Sequence, residues 1–228
     1  MATTRADTTS QSAALDVETP VGVGRLHRFP SSTTARAVLA LGHGAGGGIG
    51  ARDLQAIAQA LPATGVEVVL VEQPWVVSGK RIAPAPTRLD AAWLPLVAEL
   101  DRPRVPLIVG GRSAGARVAC RTAQQSGAIG VVALAFPLHS PGKPEPSRID
   151  ELSSVGVPVS VIQGTRDPFG TAAEVTSAIA RKRGISVTAI AGADHGFKVA
   201  ANSESTTNEA LDEVVHAIER ECTRMLGR

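Results

Sequence analysis

Three polar residues, Ser113, Asp167 and His195, each follow an apolar run of the chain and have side chains that could act together in nucleophilic catalysis. A serine hydroxyl becomes a strong nucleophile when an imidazole accepts its proton and a carboxylate orients that imidazole. Catalytic triads in folds of alternating strands and helices occur in the same order along the chain, Ser then Asp then His. We therefore predict Ser113 as the nucleophile, His195 as the general base and Asp167 as the residue that orients His195.

The sequence around Ser113 is typical of a sharp turn between a strand and a helix. Residues 111–115, Gly-Arg-Ser-Ala-Gly, follow the apolar run Val105–Val109 and precede the helix-forming segment ARVACRTAQQ. Glycines two before and two after the serine leave room for neighbouring backbone, and the serine then stands at the start of the helix. The alternative is an ordinary turn with an incidental serine, so the prediction depends on the two partners.

Each partner also has an ordinary alternative. Asp167 could cap the helix that begins near Thr171, and His195 could be a surface loop histidine. Asp194 and Asp150 compete with Asp167 for the role of the acid. Asp194 is adjacent to His195 in the chain, which makes a good hydrogen bond to that ring awkward, and Asp150 lies in a predicted short helix.

A glycine-rich loop follows the run Ala37–Leu41 and reads His-Gly-Ala-Gly over residues 43–46. A loop of this form supplies one backbone N–H of an oxyanion hole, and the residue after the nucleophile supplies the other. We predict Ala45 and Ala114 as the two donors, with Gly44 as the alternative to Ala45.

The same loop also fits a dinucleotide-binding fingerprint at Gly42, Gly44 and Gly47, with Glu72 placed to bind a ribose. Two features count against this interpretation. The next helix begins near Ala51, too late for the third glycine to pack in its first turn. A dinucleotide site would also leave the polar residues after the other strands unexplained, so we expect no cofactor.

Short apolar runs alternate with amphipathic stretches along the chain. Nearly continuous Val- and Ile-rich runs are typical of strands buried on both faces of a parallel sheet. The alternation predicts a three-layer α/β fold with a mostly parallel sheet of about seven strands and helices on both faces. The predicted strands are Val21–Leu26, Ala37–Leu41, Val66–Val71, Val105–Val109, Ile129–Leu134, Val157–Ile162 and Ile185–Ile190. The predicted helices are Ala51–Leu61, Ala91–Leu100, Ser113–Gln125, Thr171–Arg181 and Asn208–Met225.

The composition restricts the partners of the chain. The net charge of +2 is nearly balanced and no basic run stands out, so we expect no nucleic-acid partner. No apolar run approaches the roughly 18 residues of a membrane span, and the N-terminus lacks a secretory apolar segment, so we expect a cytoplasmic protein without membrane contact. The two cysteines, Cys120 and Cys222, lack metal-ligand spacing, so we expect no metal. We predict a disordered tail over residues 1–14 and a single domain over residues 15–228.

Six segments of the chain resemble the α/β-hydrolase superfamily: LGHGAGGG, VEQPW, GGRSAGAR, FPLHSPGKPEPSR, IQGTRDPFG and GADHGFK. Within that superfamily the chain looks most like the lidless group related to dienelactone hydrolases. More narrowly, it is similar to the KANL/Tex-type family, which includes bacterial hydrolase-like proteins and a subunit of a eukaryotic chromatin complex. The resemblance implies the fold, the triad and the oxyanion loop at the positions already given. Dienelactone hydrolases carry Cys where Ser113 stands, which argues against lactone cleavage of that type.

The connection in which larger relatives insert a cap domain is short in this chain. Residues 136–156 contain four prolines, which predict a stiff loop, so we expect no cap domain and an open site. We expect an esterase or thioesterase acting through an acyl-Ser113 intermediate on a small-molecule substrate. The alternative is an interaction protein of the same fold with little activity. The residues expected to contact the substrate are His43, Arg112, His139 and Trp75, with Gln73 and Lys198 as further pocket walls.

Overall fold

A computed structural model describes residues 14–100, 103–145, 147–180 and 182–227. Across these ranges, eight strands form one sheet in the order β1-β2-β4-β3-β5-β6-β7-β8. The first three strands in that order pair antiparallel, and all pairs from β4 onward are parallel. The strands are β1 (Leu15–Thr19), β2 (Gly22–Phe29), β3 (Ala37–Gly42), β4 (Val66–Glu72), β5 (Leu107–Arg112), β6 (Gly130–Leu134), β7 (Val159–Gly164) and β8 (Ile185–Ile190).

Helices connect the parallel strands and cover both faces of the sheet, which confirms the predicted three-layer α/β fold. The helices are α1 (Arg52–Ala60), α2 (Pro74–Val77), α3 (Pro86–Ala98), α4 (Ala114–Thr122), α5 (Ile149–Ser153), α6 (Ala172–Ala178) and α7 (Thr207–Leu226), with a 3-10 turn at Leu61–Thr64. The prediction that α3 begins at Ala91 was wrong. It begins at Pro86, because the fixed φ of proline suits the first helical position, where no N–H is needed.

The sheet has one strand more than the seven that the apolar runs indicate. The additional strand, β1, alternates polar and apolar residues. It pairs along its whole length with β2, from Leu15 opposite Leu26 to Thr19 opposite Gly22. It is an edge strand and is mostly exposed, so it lacks the apolar run by which the buried strands are recognised. Of the predicted N-terminal tail, only Ala14 belongs to the described residues.

The core lies in two layers, one on each face of the sheet. Along β3, Val38 and Ala40 face one layer, while Ala37, Leu39 and Leu41 face the other. The first layer is packed against α3, α4 and α6, and the second against α1 and α7. Both faces of the central strands are therefore buried, which explains why their sequences read as continuous apolar runs.

The connection between β6 and β7 carries no cap domain. Its described residues, 135–145 and 147–158, contain a single short helix, α5. Pro146, one of the four prolines that predict a stiff loop, lies outside the described residues, as does Arg181 at the end of the predicted sixth helix. The described residues of this connection therefore form no lid over the carboxyl edge of the sheet.

The ends of β3 and β5 approach each other more closely than side chains would permit. A Cβ atom built on Gly111 would lie 2.5 Å from Gly42 O, and one built on Gly115 would lie closer still to the same oxygen. Glycine at these positions lets the first turn of α4 rest directly on the backbone of β3. The small residues around Ser113 therefore have a packing role that the sequence pattern indicates.

Replacing Gly115 by alanine should force this junction apart. We expect Gly115→Ala to lower the free energy of unfolding by about 1–3 kcal/mol, since the added methyl group meets backbone that cannot turn away. The measurement is urea unfolding of the variant beside Gly50→Ala. A Cβ at the exposed Gly50 meets no atom within 4 Å in the described structure. Equal stability of the two variants would contradict the close packing of β3 against α4.

Candidate active site

Ser113 lies at the turn between β5 and α4 with backbone angles φ 54° and ψ −110°. Non-glycine residues rarely adopt such angles, which store roughly 1–3 kcal/mol of strain and cluster at functional sites. The Ser113 N–H donates to Leu134 O on β6 at 2.9 Å, which fixes the turn against the neighbouring strand. The serine is thereby placed at the carboxyl edge of the sheet, where ligands of parallel sheets bind.

The structure brings the three predicted catalytic residues into one hydrogen-bonded line. Ser113 Oγ lies 3.0 Å from His195 Nε2, and His195 Nδ1 lies 2.8 Å from Asp167 Oδ2 and 3.0 Å from Oδ1. An ionised carboxylate only accepts hydrogen bonds, so the Nδ1–H group donates to Asp167. The Nε2 atom is then free to accept the hydroxyl proton of Ser113, which is the arrangement that a general base requires.

The loop after β7 holds the Asp167 carboxylate in place. The side chain is closed to solvent, and it accepts the Phe169 N–H at 2.8 Å and Gln163 Nε2 at 3.0 Å. The Phe169 ring also lies against the His195 ring, with 4.2 Å between the ring centroids. These contacts satisfy a buried carboxylate and limit the positions that its imidazole partner can take.

Gln163 at the end of β7 is a site residue that the sequence analysis missed. Its Oε1 accepts the Phe136 N–H at 2.8 Å, while Nε2 lies 2.6 Å from Gly170 O and 3.0 Å from Asp167 Oδ2. The side chain thus joins the loops that follow β6 and β7 and supports the acid. The available signal was a polar residue at the end of an otherwise apolar run, but its contacts depend on how the loop after β7 folds back and on Phe136, which lies 27 residues away.

The two competing acids occupy other positions. Asp194 Oδ1 accepts the N–H groups of Gly196 and Lys198 at 2.8 Å and 2.9 Å, which shapes the loop that carries His195. Asp150 is exposed in the first turn of α5. The carboxylate that the structure places on the imidazole is that of Asp167.

The loop after β3 is held by His43, whose ring is buried. Its Nε2 accepts the Gln73 N–H at 3.1 Å, so the Nδ1–H group donates to Gly44 O at 2.9 Å. Burial lowers the pKa of His43, which keeps the ring neutral at pH 7. The C=O and N–H groups of a trans peptide point in opposite directions, so the Ala45 N–H is turned away from the ring.

The two predicted oxyanion donors share one pocket wall. Ala45 and Ala114 both line a narrow pocket next to Ser113, together with His43 and Trp75, and the water-accessible space in this pocket is about 10 Å³. In the described parts of the chain, the N–H groups of Ala45 and Ala114 have no hydrogen-bond acceptor. Unpaired N–H groups beside a nucleophile are suited to binding the negative charge that develops on a carbonyl oxygen.

Comparison with known proteins identifies the family of this fold. A family model described as an alpha/beta hydrolase domain matches residues 35–223. The chain belongs to the alpha/beta hydrolase family. A comparison with curated proteins gives no match.

Solved structures similar to this hydrolase domain include three bacterial proteins. An alpha-beta serine hydrolase homologue from Coxiella burnetii is 14% identical, with 94% of this chain and 99% of that chain covered and a TM-score of 0.76. A lidless serine hydrolase from Xanthomonas campestris is 19% identical, with coverages of 93% and 95% and a TM-score of 0.71. Est1E from Butyrivibrio proteoclasticus is 12% identical, with coverages of 95% and 100% and a TM-score of 0.73. At these identities the likeness establishes the fold.

Arg112, which precedes the nucleophile of this hydrolase domain, is engaged within the protein. Its Nη2 donates to His195 O at 2.9 Å, and its Nε lies 3.1 Å from Oδ2 of the buried Asp53 on α1. Burial raises the pKa of Asp53, and the nearby guanidinium opposes that rise. Arg112 therefore links α1 to the loop that carries His195, and its contact with a substrate stays a prediction.

The other residues predicted to contact the substrate or to form the pocket wall occupy different positions in the structure. Gln73 lines it beside His43 and Trp75. His139 packs against the loop of the acid, where its N–H donates to Phe169 O at 3.0 Å and its Nε2 lies 3.5 Å from Glu174. Lys198 is exposed on the loop of His195.

The described residues were also compared with the requirements of a dinucleotide site, a metal site and a membrane-spanning helix. Glu72, the residue that a dinucleotide site would place on a ribose, pairs with His27 at 3.3 Å. Among the described residues, no cluster of His, Cys, Asp and Glu has the arrangement of a metal site. Within the same ranges, every helix is too short or too polar to cross a membrane.

The two cysteines of the hydrolase domain are buried, and burial raises the pKa of each thiol to about 12. Cys120 lies in α4, 3% exposed, and Cys222 in α7, 1% exposed. The thiolate is the reactive form of cysteine. We expect the native protein to resist a thiol reagent such as DTNB at pH 8, whereas the same protein in denaturant should release two equivalents of the chromophore. Rapid reaction of the native protein would contradict the burial of these side chains.

Proposed function

We propose that this alpha/beta hydrolase cleaves carboxylic esters or thioesters through an acyl-Ser113 intermediate. The observation that carries the proposal is the hydrogen-bonded line from Ser113 through His195 to the buried Asp167. The family match and the esterases among the similar structures support hydrolase chemistry. One similar structure is a thioesterase domain from the curacin biosynthetic pathway, which supports thioesters as a second substrate class.

In the first half of the reaction, Ser113 Oγ attacks the carbonyl carbon while its proton passes to His195 Nε2. The carbonyl oxygen becomes an oxyanion, which the N–H groups of Ala45 and Ala114 bind. Asp167 holds the ring in the required tautomer and stabilises the imidazolium. When the tetrahedral intermediate collapses, the alcohol or thiol leaves with the proton from His195 Nε2, and the acyl group stays on Ser113.

The second half repeats the same steps with water. His195 Nε2 takes a proton from a water molecule as the oxygen attacks the acyl carbon. Collapse of this second tetrahedral intermediate releases the carboxylic acid and returns the proton to Ser113 Oγ. The uncovered edge of the sheet gives water a path to the acyl group.

A second candidate is an interaction protein of the same fold with little activity. The narrower resemblance to the KANL/Tex-type family motivates it, because that family includes a subunit of a chromatin complex. The complete triad argues against it, since a scaffold has no need of a strained serine aligned with a histidine and a buried acid. As part of the first proposal, in which the protein is an esterase or thioesterase, we also propose a small-molecule substrate and a cytoplasmic location.

A fluorophosphonate probe tests the nucleophile directly, because it forms a covalent bond with an activated serine hydroxyl. We expect the intact protein to be labelled and Ser113→Ala to show no labelling. Ser154→Ala, which alters an exposed serine next to α5, should be labelled like the intact protein. Absence of labelling in the folded intact protein, with no turnover of short esters, would favour the interaction protein.

Asp167→Asn separates the orienting acid from its competitors. The amide places a donor or a neutral acceptor against His195 Nδ1, so we expect kcat to fall by about 10³–10⁴-fold. The measurement is hydrolysis of a p-nitrophenyl ester, with circular dichroism to show that the variant is folded. Asp150→Asn is the matched control and should keep the activity of the intact protein. The assignment of the acid is wrong if Asp150→Asn loses activity and Asp167→Asn keeps it.

A further inference from the structure

The guanidinium group of Arg112 lies between the loop after β3 and the loop that carries His195. Its Nη2 donates to His195 O at 2.9 Å. A Cβ atom built on Gly196, the next residue of that loop, would lie 3.5 Å from Nη2, and one built on Gly44 in the loop after β3 would lie 3.1 Å from Nη1. The two ends of one rigid, planar group therefore lie beside the two loops that flank the nucleophile.

Asp53, in the first turn of α1, holds the guanidinium from a third side. Its Oδ2 lies 3.1 Å from Arg112 Nε, as an ion pair without an aligned hydrogen bond, and its side chain is only 2% exposed. Burial raises the pKa of the Asp53 carboxyl, and the adjacent guanidinium opposes that rise. A buried carboxylate is strongly destabilising without its cation, so the pair restricts where the Arg112 side chain can lie.

The contacts of Arg112 leave little of its charge for a ligand. The carboxylate of Asp53 balances the guanidinium, and the Nη2 atom is engaged by His195 O. Arg112 is also absent from the described lining of the narrow pocket next to Ser113. An anionic substrate would have to replace protein partners that are already in place, so the side chain is better suited to holding the protein itself.

Arg112 and Asp167 act on different parts of His195. Asp167 accepts the Nδ1–H group and orients the ring, whereas Arg112 holds the main-chain carbonyl of the same residue. The distance of 3.0 Å between Ser113 Oγ and His195 Nε2 depends on both restraints. Misplacing a reacting group by about 1 Å can lower a rate by about 10²-fold, so a restraint on the main chain bears on the proposed proton transfer.

We propose that Arg112, anchored by Asp53, is a positioning residue that sets the separation between His195 and the loop after β3. This inference rests on the proposed function, because it concerns the geometry of the reaction at Ser113. It gives Arg112 a role that acts through His195 rather than through contact with the substrate.

Arg112→Met removes the guanidinium and keeps an apolar side chain that fills most of the same space. We expect kcat for p-nitrophenyl hexanoate to fall by about 10–100-fold, with KM changed by less than about three-fold. The mono-p-nitrophenyl ester of adipate has an acyl chain of the same length that ends in a carboxylate, and its kcat should fall by the same factor. A loss confined to the adipate ester and carried by its KM would show substrate binding and overturn the inference.

Arg112→Lys is a second variant that separates the charge from the shape of the side chain. The lysine keeps a cation beside Asp53, but its ammonium group ends short of the position of Nη2 and lacks the planar fork. We expect this variant to unfold at a higher temperature than Arg112→Met and still to lose about 10-fold in kcat. Full kcat in Arg112→Lys would mean that the charge alone suffices, which overturns the inference.

The matched control is Arg121→Met, which removes another ion-paired arginine from α4. Arg121 Nη2 lies 2.6 Å from Asp90 Oδ1, and the Arg121 side chain is 20% exposed, compared with 19% for Arg112. We expect thermal unfolding to show a loss of stability in both methionine variants, whereas only Arg112→Met loses kcat. An equal loss of kcat in Arg121→Met would mean that general loosening of the fold is responsible, and it would overturn the inference.

Asp53→Asn tests the anchor in a double-mutant cycle. If Asp53 acts through Arg112, Asp53→Asn lowers kcat, and the double variant with Arg112→Met loses no more than Arg112→Met alone. Circular dichroism checks that each variant is folded. Losses that multiply in the double variant would show that the two residues act independently, which overturns the role of Asp53 as the anchor.

Labelling with a fluorophosphonate separates failure of the inference from failure of the proposed function. If the intact protein is labelled and cleaves the hexanoate ester, and Arg112→Met keeps the same kcat, the role of Arg112 is overturned and the proposed function stands. If the folded intact protein shows neither labelling nor ester cleavage, the proposed function fails and the inference falls with it.

Discussion

The contact between the backbone of Gly42 and the glycines on either side of Ser113 sets the geometry on which the rest of the site depends. Gly42 ends β3, and the loop with the predicted oxyanion donor Ala45 begins at the next residue. Gly111 and Gly115 place the end of β5 and the start of α4 against it without intervening side chains. Ser113 and the loop after β3 therefore meet at one junction, and their separation is determined by backbone contact rather than by flexible groups.

The loop that carries His195 is tied to the same junction through Arg112. The guanidinium reaches Asp53 at the start of α1 and the carbonyl group of His195, so three elements distant in sequence meet at one side chain. A buried carboxylate loses hydration, and the adjacent cation offsets that loss only while both partners are present. The position of His195 thus depends on an internal ion pair, which accounts for a charged residue beside the nucleophile without requiring a charged substrate.

The sequence was most informative about the candidate site where polar residues follow the ends of buried strands. The fold class was predictable because buried strands leave continuous apolar runs, and Ser113, Asp167 and His195 were conspicuous because each is polar and directly follows such a run. The contacts of Gln163 and Asp53 were not predictable, since they depend on the packing of several loops and involve the distant residues Phe136 and Arg112. The edge strand β1 was missed for a related physical reason: its residues are exposed, so no apolar run marks it.

The lack of a lid over the carboxyl edge of the sheet favours water over an alcohol as the acceptor of the acyl group in the proposed reaction. An enzyme that transfers an acyl group to another alcohol must keep water away from the acyl intermediate, commonly by closing a lid over it. Here the described residues between β6 and β7 form no such cover, and the His195 side chain is 18% exposed. Water can therefore reach the imidazole that we propose as the general base, at a concentration that a dissolved alcohol cannot match.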